Sequence, residues 1–135
     1  MCAEKARIIL VEDHKLIRAF LRKFIDRIGC CQIVAEAVCG TDALDVIRSA
    51  PADLIVIDLS LPGRSGVEVI RETKRISTAK ILVFTMITDA YHIQEAIDSG
   101  ADGICLKDRS AETLGKAIKE ILEGKHPIYL EKEVL

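Results

Sequence analysis

Four short apolar runs, each ending in a residue that carries chemistry, constrain this chain more than any other feature. Leu54-Ile55-Val56-Ile57 runs into Asp58, Ile8-Ile9-Leu10-Val11 into Glu12-Asp13, Ile81-Leu82-Val83-Phe84 into Thr85, and residues 103–106 into Lys107. Runs this short and this apolar read as strands buried on both faces. Between them, apolar residues recur three or four apart. Ile17, Phe20, Leu21, Phe24, Ile25 and Ile28 form one such face, and Leu114, Ala117, Ile118, Ile121 and Leu122 another.

The pattern predicts strands at 7–11, 32–38, 54–57, 80–84 and 103–106. It places helices at 14–28, from a cap at Thr41 or Asp42 to Ser49, at 67–76, at 89–99, and from a cap at Ser110 to Gly124. Strands alternating with helices imply an α/β domain: one doubly wound parallel sheet of five strands with five helices covering both faces. Ligands of such sheets bind outside the carboxyl ends of the strands. Three acids, a hydroxyl and an ammonium are therefore expected at one sheet edge.

The 135 residues, half of them apolar and 30% charged, fit one domain with an ordinary core. Residues 1–125 are read as that domain. Residues 126–135 are read as an extension that packs back on it or begins a linker to an absent output domain. A net charge of −2 gives no long-range field favouring nucleic acid or membrane, and 4% aromatics without Trp argue against base stacking. No run approaches the roughly 20 apolar residues of a membrane span, and no signal-peptide stretch precedes the first strand, so a cytoplasmic location is expected. The cysteines at 2, 30, 31, 39 and 105 are odd in number and lack C-x-x-C spacing, so reduced thiols are expected.

Carboxylates crowded into one cleft disfavour one another's charge unless a cation neutralises them. Magnesium takes hard oxygen ligands, often one or two carboxylates beside a phosphate. Asp13 and Asp58 would supply carboxylates, Glu12 would act directly or through water, and the Ser60 backbone carbonyl would add an oxygen. Beside such an ion Asp58 is a plausible nucleophile towards a phosphoryl donor. Lys107 and Thr85 would then meet the remaining phosphoryl oxygens. Each residue alone has an ordinary explanation: a solvated strand-end acid, N-terminal charge on a helix, a turn hydroxyl, a surface cation. The joint pattern is what carries the reading.

That joint pattern resembles the receiver domain of two-component response regulators. The order Glu12-Asp13, Asp58, Thr85, Lys107 does so, as do Val11-Glu12-Asp13-His14, Ile57-Asp58-Leu59-Ser60-Leu61-Pro62-Gly63 and Gly100-Ala101-Asp102-Gly103. The likeness covers roughly residues 6 to 124 and is nearest the nitrate-regulator group with helix-turn-helix output domains. It implies a flavodoxin-like sheet of order 2-1-3-4-5. It further implies magnesium-dependent transfer of a phosphoryl group to Asp58 from a sensor histidine kinase, self-catalysed dephosphorylation, and control of a transcriptional output domain. Homodimerisation on phosphorylation is possible on this reading, and the segment itself is not expected to bind DNA. Thr85 would act as a switch with the residue three before the lysine, here Ile104 where relatives usually carry an aromatic. Asp108 stands where many relatives have proline, so a trans peptide is expected there.

Other functions fit less well. Aspartyl phosphatases of related shape place a second acid two residues after the nucleophile, where this chain has Ser60. The first loop, Glu12-Asp13-His14-Lys15, lacks the glycines of a dinucleotide site. A receiver-like interaction module that is never phosphorylated is the alternative that Ile104 keeps open. His14 is read as a first-turn helix residue rather than a base, and His92 and His126 as surface residues.

Overall fold

The structure, a computed structural model, describes residues 4–107 and 111–130. Its elements follow the order β1 (Ala6–Val11), α1 (Lys15–Ile28), β2 (Cys31–Ala37), α2 (Gly40–Ser49), β3 (Leu54–Ile57) and α3 (Gly66–Ile76). Then come β4 (Lys80–Thr85), α4 (Ala90–Ser99), β5 (Gly103–Leu106), α5 (Ala111–Leu122) and β6 (Ile128–Tyr129). All strand pairings are parallel, in the order β2-β1-β3-β4-β5-β6. The predicted five-strand order is present, and a two-residue strand from the C-terminal segment extends it. Sequence periodicity does not reveal so short a strand, because two residues carry no period.

Alternation along each strand divides the core into two layers. Ile9, Val11, Ile55, Ile57, Ile81, Val83 and Ile104 pack under α2, α3 and α4, against Leu44, Ile70 and Ala96 among others. Ile8, Leu10, Leu54, Val56, Leu82, Phe84 and Cys105 pack under α1 and α5, against Leu21, Ile25, Leu114 and Ile118. The central strands each carry a run of four buried apolar residues, Ile8 to Val11, Leu54 to Ile57 and Ile81 to Phe84, because both of their faces are covered. At the edge, β2 is half exposed, and its register with β1 slips between Ile8 and Ile9, so that Val34 is passed over.

Local chemistry differs from expectation at two helix starts. His14 caps α1 through its ring nitrogen, which accepts from the Ile17 N–H. The cap of α2 is Cys39, whose sulfur accepts from the Asp42 N–H, rather than Thr41 or Asp42. The chain enters α2 two or three residues earlier than those oxygen-bearing residues suggested. Ser110 lies outside the described residues, as do Asp108 and its peptide bond.

The thiol expectation holds for Cys31, Cys39 and Cys105, none of which is in a disulfide, and fails for Cys30, which is disulfide-bonded; Cys2 lies outside the described residues. Spacing rules find regular frameworks, whereas a single bridge depends only on proximity in space.

Candidate functional site

The carboxyl ends of β1, β3, β4 and β5 form one edge of the sheet, and pairing register sets which residues meet there. Val11 pairs with Ile57 and Ile57 with Val83, so Glu12-Asp13, Asp58 and Thr85 leave the sheet side by side. Thr85 pairs with Leu106, and the Lys107 N–H donates to the Thr85 carbonyl at 2.9 Å. Four strand ends thus deliver the residues that the sequence singled out.

Glu12 and Asp58 are buried at this edge, at 1% and 5% exposure, while Asp13 is exposed. One carboxylate oxygen from each of Glu12, Asp13 and Asp58 lies within 4.8 Å of the others. The Lys107 ammonium bridges two of these acids, with Nζ 2.8 Å from Glu12 Oε1 and 2.9 Å from Asp58 Oδ2. Burial alone would lower the Lys107 pKa. The hydrogen bonds and charges of Asp58 and Glu12 outweigh it and hold the group above the ordinary lysine range. Three carboxylates and one ammonium leave two negative charges uncompensated in a partly buried cleft. That charge and the all-oxygen donor set fit a small divalent cation such as magnesium.

Backbone geometry orients each acid. The His14 N–H donates to Glu12 Oε2 at 3.0 Å, and the Ser60 N–H donates to Asp58 Oδ1 at 3.2 Å. The Asp58 N–H itself donates to the Val11 carbonyl at 3.3 Å. Behind Asp58, α3 begins at Gly66, where a Cβ would lie 2.6 Å from the Asp58 carbonyl oxygen and from Leu59 Cα. Only glycine lets that helix start so close to the acid.

Thr85 is fully buried, and its hydroxyl oxygen accepts from the Ile87 N–H at 3.2 Å, closing the turn after β4. Ile104, the second residue expected to switch, is fully buried in the layer under α4 with Val83, Ile93 and Ala96.

Sequence reasoning missed Arg18. Its Nη1 donates to the Glu12 carbonyl at 2.9 Å and lies 3.4 Å from the Asp13 carbonyl, clamping the acidic loop from α1. Its Nε lies 3.6 Å from Glu36 Oε1, and Glu36 also takes a two-pronged bond from Arg22, both contacts 2.7 Å. An arginine on the polar side of a helix gives no sequence signal for such a clamp, since its partners are backbone carbonyls.

Comparison with known proteins agrees with this geometry. Residues 8–119 match the sequence profile of the response regulator receiver domain. A nitrate/nitrite response regulator protein homolog of Haemophilus influenzae is 31% identical over 122 residues, covering 90% of this chain and 59% of that protein. The chain thus spans little more than half the length of the curated relatives it matches. The crystal structure of a two-component response regulator of the LuxR family from Aurantimonas sp. superposes with a TM-score of 0.87 at 35% identity, covering 92% of this chain and 89% of that one. The isolated receiver domain of RcsB from Salmonella enterica, solved in the presence of the phosphomimetic BeF3−, superposes at 0.86 with 26% identity, covering 93% and 94%. From the profile match, the relatives and the convergence of four strand ends on one acidic cleft, this chain belongs to the response regulator receiver domain family of two-component systems.

Proposed function

We propose that this domain is a magnesium-dependent phosphorylation switch in which Asp58 accepts a phosphoryl group from the histidine of a sensor kinase. The observation that carries the reading is the Lys107 ammonium seated on both Asp58 and Glu12, in a cleft with three carboxylate oxygens within 4.8 Å. Glu12, Asp13, Asp58 and the Ser60 carbonyl would hold the ion, which when bound neutralises charge on the transferring phosphoryl group.

The chain's own residues do the rest. An Asp58 oxygen attacks phosphorus in line with the departing imidazole nitrogen. The O–P bond forms, the N–P bond breaks, and the electron pair stays on the imidazole, which takes up a proton. Lys107 lies within hydrogen-bond reach of Asp58 and meets a phosphoryl oxygen as charge builds. The Thr85 hydroxyl meets another, leaving its contact with the Ile87 N–H. Hydrolysis of the acyl phosphate by water restores Asp58 and resets the switch.

Signal leaves through movement of β4 and β5, because Thr85 and Lys107 are joined by a backbone hydrogen bond. Ile104 limits that movement to repacking within the core rather than a swing to the surface. The partners on this reading are a sensor histidine kinase, a DNA-binding output domain in a longer protein, and a second copy on phosphorylation. A cytoplasmic location follows from that role. Among the described residues no helix is long and apolar enough to cross a membrane.

Beryllofluoride, which mimics a phosphoryl group, tests the site directly. With magnesium present throughout, beryllofluoride is expected to shift the amide resonances of Thr85 and Lys107 in the wild-type protein and not in Asp58→Asn. Shifts in Asp58→Asn, or none in the wild-type protein, would contradict the reading. In that case a phosphorylation-independent binding role, which the aliphatic Ile104 keeps open, takes its place.

A further inference from the structure

The outer edge of β5 is covered by the chain's own C-terminal segment. His126 Nδ1 lies 3.0 Å from the Asp102 carbonyl oxygen, the Ile104 N–H donates to the Pro127 carbonyl at 2.9 Å, and Ile128 and Tyr129 pair in parallel with Ile104 and Cys105. Tyr129 turns towards α5. Its hydroxyl donates to the Glu120 carboxylate and its ring centroid lies 5.7 Å from the Lys116 ammonium. Leu130 turns to the opposite layer of the core. The seat is shaped for this segment: a Cβ at Gly103 would lie 3.0 Å from the Pro127 carbonyl oxygen and 3.1 Å from its Cγ.

The hold is nevertheless slight. Among the described residues two pair across β5–β6, against four across β3–β4 and β4–β5 and six across β1–β2. Ile128 is 51% exposed. Side-chain contacts at Tyr129 and His126 add to that short ladder in keeping the segment in place. Short, exposed, lightly paired segments open at lower free energy than the core they rest on.

We propose that the outer edge of β5 is a strand-docking site whose resident ligand is the chain's own segment 126–130, exchanging between docked and free without unfolding of the core. Undocking leaves the Ile104 N–H and its neighbours on β5 as an unpaired edge, the kind of surface to which an extended peptide adds. The site lies on the same strand as Ile104, so whatever occupies it touches the interior position opposite Val83. The inference does not depend on phosphorylation of Asp58.

Amide hydrogen exchange followed by NMR on the full chain tests it, without magnesium or any phosphoryl analogue. The Ile104 amide is expected to exchange faster than the Asp58 amide, which is held by Val11 between β1 and β3. Tyr129→Ala removes a hydrogen bond and a cation–π contact and should speed Ile104 exchange roughly tenfold, leaving the Asp58 amide unchanged. Exchange of both amides at one rate, or equal acceleration of both by Tyr129→Ala, would overturn the proposal and make β6 an integral strand.

Discussion

At the residue scale, Lys107 is the centre of the electrostatics. Removing it by Lys107→Ala leaves Glu12 and Asp58 buried without their cation and should cost roughly 3 kcal/mol of stability without metal. The variant's cleft then carries three negative charges, so magnesium should raise its melting temperature more than it raises that of the wild type. Thermal unfolding with and without magnesium reads both effects, and an equal metal response in the two proteins would contradict this charge balance. Thr73 makes the opposite case. Its hydroxyl oxygen is buried with no hydrogen-bond partner among the described residues. Thr73→Val keeps the shape and removes the orphaned group, so urea unfolding should show stability equal to wild type or higher by about 1 kcal/mol. The sequence showed Asp58 and Lys107 because each closes an apolar run. It did not show Arg18, whose contacts to the Glu12 and Asp13 carbonyls depend on how α1 lies over the loop.

At the scale of elements, the start of α3 and the acidic loop govern the site. Gly66→Ala would push the helix away from Asp58 and Leu59, costing about 1–3 kcal/mol and displacing the Ser60 N–H from Asp58. The central strands were legible because burial on both faces leaves a run of four apolar residues in β1, β3 and β4, and the helices because their apolar spacing is regular. The α2 cap was not, since a cysteine sulfur is a weak acceptor and gave way in the reading to Thr41 and Asp42. Nor was β6, which exists because Gly103 admits Pro127 and Tyr129 reaches Glu120. Those contacts join residues well separated along the chain, and local pattern carries no trace of them.

At the scale of the whole molecule, charge pairs set the pH range of stability. Glu36 is held below the ordinary carboxylate range chiefly by its hydrogen bond from Arg22, and Asp53 by that from Arg7. A carboxylate with a lowered folded pKa stabilises the fold above its unfolded value, and that contribution disappears as pH falls through the folded value. Lys107 has the opposite sign. Its raised pKa stabilises the fold below the unfolded lysine value and ceases to do so as pH climbs through the folded one. Urea midpoints should therefore fall on the acid side below about pH 4 and on the alkaline side above about pH 10. Arg22→Gln should flatten the acid limb and leave the alkaline limb unchanged.

The central claim is that Asp58 takes a phosphoryl group with magnesium as its partner. Intact-mass measurement after incubation with acetyl phosphate tests it most directly, comparing wild type with magnesium, wild type with a chelator, and Asp58→Asn with magnesium. A gain of one phosphoryl group only in the first is the predicted result. A gain that survives in Asp58→Asn or in the chelator, or no gain at all, would contradict the account.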